Sequence, residues 1–227
     1  MIGVIRKPNI PIIPFNPDSC FDPTTHIATE ENFMKLLDNG VYDSKYIGYK
    51  VRLSNTSEYN NGLWVIADVN HDSSNTGQTG CYDLISEDCF HSAAFGSDKN
   101  WRSSTARTYL NGTFYSGFSS IFKVHMICPK YNSQNTWYTD DYVILPSYKE
   151  VNGGTSSYQD NEGIAYPIFT NYTSRKKYQA DTTTYRTWWN RSRHTDNKAV
   201  WAVTLNGALE NYAYGSSLYL APILRVQ

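Results

Sequence analysis

Apolar positions in this chain fall in short blocks, and the spacing within each block predicts a mixed α+β domain. Phe33, Met34, Leu36 and Leu37 share one face of a helix over residues 30–38. Thr29 can cap it, Glu30 and Glu31 suit its positive end, and Asn39-Gly40 supplies a left-handed stop. Residues 48–53 and 63–69 read as strands joined across the Asn60-Asn61-Gly62 turn, with residues 81–85 as a third. Ser103 or Ser104 caps a helix over 105–110 that should stop at Asn111-Gly112, and Phe114, Phe118, Ile121 and Phe122 fall on one face of the next. Residues 124–128 and 141–145 are again strand-like, while 153–179 is polar and Tyr-rich and predicts long loops with one short element. The strongest β signal is C-terminal. Residues 188–192 lead into 199–205, the Asn206-Gly207 hairpin turn, a return over 208–212 and a closing run over 218–226.

The first two dozen residues follow a different rule. Pro8, Pro11, Pro14, Pro17 and Pro23 forbid a helix and favour extended structure. Ile2, Ile5, Ile10, Ile12, Ile13 and Phe15 lie among them, too apolar for a solvated linker. Residues 1–23 therefore read as a docking arm and 24–227 as one domain without internal repeats. The start lacks the order of a secretory signal, since its charges follow the apolar residues.

Composition narrows the function classes. Charged residues are 18% of the chain, net charge is -1, and 19 Tyr, 6 Trp and 9 Phe carry the apolar content. A near-neutral chain has no electrostatic footprint for nucleic acid or an anionic membrane. Mean hydropathy of -0.53 and the lack of a long apolar run argue against a spanning segment. Tyr with Ser, Gly and Asn is the mixture used by adaptable binding surfaces. The tyrosines and tryptophan expected to face a ligand are Tyr131, Trp137, Tyr138, Tyr158, Tyr166, Tyr172, Tyr212 and Tyr214.

Catalytic and metal-binding patterns are missing. There is no phosphate loop, dinucleotide fingerprint, zinc-protease motif or nucleophile elbow, and no two of the five histidines stand at ligand spacing. Cys20, Cys81, Cys89 and Cys128 form no paired motif and are expected to be reduced thiols. Asp68, Asn70 and Asp72 alternate as in a calcium loop, but Ser73 and Thr79 stand where that loop needs Gly and Glu, so a strand-end turn is the better reading. Asp140, Asp141, Glu150, Asp160 and Glu162 are candidate acids for glycoside hydrolysis, but their spacing makes no prediction. No catalytic residue, cofactor or metal is expected.

Four segments in order carry a family likeness. They are residues 101–115 (Trp-Arg-Ser-Ser-Thr-Ala-Arg-Thr-Tyr-Leu-Asn-Gly-Thr-Phe-Tyr), 141–151 (Asp-Tyr-Val-Ile-Leu-Pro-Ser-Tyr-Lys-Glu-Val), 188–192 (Trp-Trp-Asn-Arg-Ser) and 220–226 (Leu-Ala-Pro-Ile-Leu-Arg-Val). With this order and spacing, the chain from about Ile47 onward resembles the DUF6273 family. The resemblance implies a C-type-lectin-like α+β domain, with short helices packed on small antiparallel sheets. In it Trp101, Trp188 and Trp189 would fill the core, and Arg107 and Arg191 would hold loop backbones by forked hydrogen bonds. The sugar-binding tripeptides of calcium lectins and the late cysteines of formylglycine-generating enzymes are both missing.

Such modules occur on tailed phage particles and bacterial surfaces. The expectation is therefore a non-enzymatic virion protein, a capsid decoration, head fibre or tail adhesin assembled in the host cytoplasm. It would dock on other virion proteins through its arm and self-associate, a trimer being favoured. A host-surface glycan or protein could be its ligand. A bacterial carbohydrate- or protein-binding module is the alternative, and a glycan-degrading enzyme the third.

Overall fold

Short strands separated by turns give this chain its sheets, and the computed structural model describes residues 14–73, 77–133, 137–154 and 162–227. In chain order the strands are β1 (Ile27–Thr29), β2 (Lys50–Leu53), β3 (Gly62–Val69), β4 (Tyr82–Ser86), β5 (Phe90–Ala94), β6 (Met126–Ile127), β7 (Lys130–Ser133) and β8 (Trp137–Asp140). They continue with β9 (Val143–Ile144), β10 (Lys177–Tyr178), β11 (Tyr185–Arg186), β12 (Trp188–Arg193), β13 (Ala199–Val203), β14 (Leu209–Ala213), β15 (Ser217–Leu220) and β16 (Ile223–Val226). One sheet runs β1-β2-β3-β4-β16-β6, with β9 also paired to β16, and a second runs β14-β13-β12-β15-β5. Two ribbons, β7-β8 and β10-β11, complete the architecture. Together with a few short helices this is an α+β fold. The sheets are not wholly antiparallel as expected, because β1 pairs β2 and β12 pairs β15 in parallel.

Local chemistry explains where elements begin and end. The helix Glu30–Asp38 starts where the Thr29 side chain accepts from the Asn32 N–H, and ends before Gly40 at φ 65°. Ser104 caps Thr105–Tyr109 as its type requires, but the chain does not stop at Asn111-Gly112. It widens into a π turn over Leu110–Phe114, because Asn111 has long-range partners: its amide donates to the Val143 carbonyl at 2.7 Å and accepts from the Tyr142 and Val143 N–H groups. The expected phenylalanine face is also broken. Phe114, Phe118 and Phe122 are buried, but Ser119 recaps a separate helix Ser120–Lys123 and leaves Ile121 66% exposed.

The arm ends earlier than residue 23. Pro17–Cys20 form a 3-10 turn capped by Asn16, and Cys20 and Phe21 are buried, with Phe21 stacked on Tyr46 at 4.9 Å. Phe15 is exposed, and Ile2, Ile5, Ile10, Ile12 and Ile13 lie outside the described residues. The closing run over 218–226 is two strands rather than one. Pro222 offers no N–H, and the chain crosses there from the second sheet, at β15, to the first, at β16.

The Asn206-Gly207 turn does form the β13-β14 hairpin. Gly207 sits at φ 84°, and a Cβ there would lie 1.8 Å from the Tyr172 carbonyl oxygen. The turn is thus pressed against the start of helix Tyr172–Arg175. Gly207→Ala is expected to cost more than about 1 kcal/mol, from the left-handed backbone and the contact together. Urea denaturation checks this; a neutral result would mean that the turn and the helix do not touch.

Candidate functional site

Charges buried in the strands organise the interior. Arg225 on β16 faces Asp83 on β4; its Nη2 donates to Asp83 Oδ2 at 2.9 Å and to the His71 carbonyl at 2.8 Å. Tyr166 donates its hydroxyl to Asp83 Oδ2 at 2.6 Å and stacks on the His71 ring at 3.7 Å. On β12, Arg191 pairs with Glu150 (Nη2 to Oε1 2.8 Å) and donates to the Leu145 and Glu162 carbonyls at 2.9 and 3.1 Å. The Tyr131 ring lies 5.6 Å from the Arg191 guanidinium and 5.9 Å from that of Arg225. A tyrosine therefore bridges two buried ion pairs.

This network revises the expected ligand surface. Tyr131 and Tyr166 are 5% and 1% exposed, and burial holds both phenols above their usual range. They cannot face a ligand, because their rings serve the buried guanidiniums and Asp83. Tyr212 and Tyr214 are half-buried, packed against the core, and Tyr172 is well exposed, at 62%. Trp137 and Tyr138 stand in β8, opposite Ser133 and Asn132, and are described by backbone alone. Tyr158 lies outside the described residues, as does Asp160.

The motif residues keep their expected places. Trp101, Trp188 and Trp189 are fully buried, and Arg191 holds loop carbonyls as well as its carboxylate. Arg107 holds the Arg102 carbonyl at 3.2 Å, but its shorter bond is to Asp141 at 2.7 Å. Three of the acids weighed for hydrolysis thereby have structural partners. Asp141 is bound by Arg107 and Trp101, Glu150 by Arg191 and its own helix cap, and Glu162 by Ser192. Asp140 is exposed at the end of β8. Asp68 hydrogen-bonds His71, and Asn70 and Asp72 take positive φ, as in a strand-end turn. Among the described residues no three His, Cys, Asp or Glu side chains gather where a metal could sit. Cys20, Cys81 and Cys89 are buried and Cys128 is half-buried; none forms a disulfide.

A cleft of about 510 Å³ opens beside helix Tyr172–Arg175. Its apolar wall comes from Ile47, Val65, Ile85, Ile168 and Phe169, and its polar side from Glu87, Thr170, Ser174, Lys176 and Lys177. Lys50 pairs with Glu87. Lys177 is 5% exposed; its ammonium donates to the Ser86 and Glu87 carbonyls and lies 5.9 Å from the Trp188 ring. Two exposed tyrosines, Tyr172 and Tyr178, adjoin these lining residues in sequence, and Tyr178 pairs with a third, Tyr185. Tyr172 opens the helix that carries Ser174, while Tyr178 and Tyr185 stack at 4.2 Å across β10-β11, with the Lys176 ammonium 5.4 Å from the Tyr185 ring. Reading 153–179 as long loops with one short element did not bring these residues together. The visible signal was Arg175-Lys176-Lys177 set between Tyr172 and Tyr178.

Burial pushes the Lys177 amine down from 10.5 to about 8. The folded state then binds fewer protons than the unfolded state between those values, so its stability should rise with pH across about 8 to 10.5. Below pH 8 the cost of burying the charge is fully present. Raised thiol values at Cys81 and Cys89 act in the opposite direction in the upper part of this window. The check is therefore a difference: denaturation from pH 7 to 10.5 should give a steeper rise in the parent than in Lys177→Met. Parallel curves would show that Lys177 is not a buried ammonium.

These features define an α+β domain with two buried ionic centres and a cleft lined by apolar, hydroxyl and lysine residues. Residues 82–227 match the family described as Domain of unknown function (DUF6273), and the chain belongs to that family. The match includes Asp83, Glu150, Arg191 and Arg225 but begins after Ile47 and Val65, so one wall of the cleft lies outside it. No curated protein and no solved structure matches the chain.

Proposed function

We propose that the chain is a non-enzymatic structural protein of a tailed phage particle, a capsid decoration, head fibre or tail adhesin, displaying a binding module whose ligand site is the cleft. The observation that carries the binding role is the cleft itself, which joins an apolar wall to hydroxyls and lysines, with exposed Tyr172 and Tyr178 adjoining its lining residues in the chain. Tyrosine offers rigid amphipathic contact area at low entropic cost, and a cleft of this size lies within the roughly 300–1,000 Å³ range of ligand sites. The partners of Asp141, Glu150 and Glu162 support a scaffold role for acids that a hydrolase would need free. A C-type-lectin-like fold is part of this reading. It is supported by the return of the last strand, β16, to the interior of the larger sheet. The virion setting rests on the apolar arm and on the family resemblance.

Gradient-purified particles probed with an antibody to the domain test the setting. Deleting residues 1–13 spares Cys20 and Phe21, so the loss of signal from the particle band would report the arm alone. Signal confined to the cell envelope would overturn the phage setting in favour of a bacterial surface binding module. Hydrolysis of a glycan by the purified protein would overturn the non-enzymatic reading.

A further inference from the structure

We infer that the cleft selects an acidic saccharide, whose carboxylate would pair with Lys177 while its ring rests against the aromatic and apolar wall. This rests on the binding-module reading above and gives it a ligand class.

The argument starts from an unbalanced charge. Lys177 is almost fully buried, yet both acceptors it reaches, the Ser86 and Glu87 carbonyls, are neutral, and among the described residues it forms no ion pair. A buried ammonium is costly unless an anion meets it. Glu87 is held by Lys50, and among the described residues neither Glu87 nor Asp88 forms an ion pair with Lys177, although both act on it at longer range. Lys177 nevertheless lines the cleft, so a ligand carboxylate can approach the amine from the open side. Lys176 is a lining residue as well and adds positive charge nearby. Close by, the Ser86 hydroxyl is fully buried and, among the described residues, has no hydrogen-bond partner.

The rest of the lining chooses between anions. Glu87 shares the cleft, so a dianionic phosphate meets repulsion that a single carboxylate meets less. Ile168 and Phe169 present apolar surface and Thr170 and Ser174 hydroxyls, a mixture that suits the C–H faces and hydroxyls of a sugar ring.

The test uses the full chain and an array of uronic and sialic acid oligosaccharides, each paired with its neutral methyl ester. Acid forms are expected to bind and esters not to bind. Acetic anhydride labelling at pH 8, read lysine by lysine, should show Lys177 protected by a bound acid about tenfold more than in the free protein. Lys177→Met should weaken acid binding by about 10- to 100-fold, the loss expected for one charge-assisted contact. The labelling is done on the parent protein and does not depend on that variant folding. Equal binding of acids and esters, or acid binding that leaves Lys177 unprotected, would overturn the inference. Binding of neutral glycans alone, or of a peptide with a free C-terminal carboxylate in preference to the sugars, would also overturn it and leave a binding module. A folded protein that binds nothing tested would overturn the inference and leave the particle setting to the gradient experiment.

Discussion

Replacing Asp83 with alanine should lower the unfolding free energy by about 3–5 kcal/mol, the range for removing one partner of a buried ion pair. Both Asp83 and Arg225 are 0% exposed, and the change leaves the Arg225 guanidinium without its carboxylate on β16. Tyr166 loses an acceptor as well, since its hydroxyl donates to Asp83. Urea denaturation of Asp83→Ala, Tyr166→Phe and the double replacement Asp83→Leu/Arg225→Met separates the contributions. Tyr166→Phe should cost only about 1 kcal/mol, because Asp83 retains its arginine. The double replacement should recover most of the loss, because an apolar pair carries no desolvation penalty. A loss below about 1 kcal/mol in Asp83→Ala would mean that water reaches the pair.

Trp188→Ala should be similarly severe, about 3–5 kcal/mol, for a different reason. Trp188 lies in β12, opposite Val203 of β13 on one side and Tyr219 of β15 on the other, and its indole N–H donates to the Arg175 carbonyl at 3.1 Å. Its ring also lies near Phe169, at 6.3 Å between centroids, and Phe169 and Lys177 both line the cleft. The cavity left by alanine therefore opens directly beneath the proposed site. Trp188→Phe keeps most of the volume but leaves the Arg175 carbonyl without its donor, and should cost less. Thermal unfolding of the two variants tests this order, and near-equal losses would assign the effect to the hydrogen bond rather than to packing.

What could be read beforehand depended on how far apart the interacting residues stand. The helix Glu30–Asp38 and the Asn206-Gly207 hairpin are governed by neighbours within a few positions, and both formed as their residue types require. The tryptophans of the family motifs are in the core. Tyr131 and Tyr166 were misread because tyrosine in a polar stretch is ordinarily at the surface. What buries Tyr166 is Asp83, 83 residues away, and periodicity carries no information about that distance. The same applies to Asn111, whose partners on β9 override the stop that Asn-Gly normally imposes. Asp83 and Arg225 did leave a trace: opposite charges within two otherwise apolar strands, Tyr82–Ser86 and Ile223–Val226, mark a pair that must meet. The cleft left almost none, since its walls come from four separate stretches of chain.

The crossing at Pro222 bears on how the protein is made. β15 lies between β12 and β5, β16 lies between β4 and β6, and only two residues separate them. Neither sheet is continuous without strands from the last eleven residues. A nascent chain emerging from the ribosome can form the β2-β3-β4 meander and the β12-β13-β14 meander early, but it cannot close the second sheet until residue 220, or the first until residue 226, has cleared the exit tunnel. Until then the inner edges of β4 and β12 present unpaired backbone, and the cell must hold that intermediate apart from others of its kind.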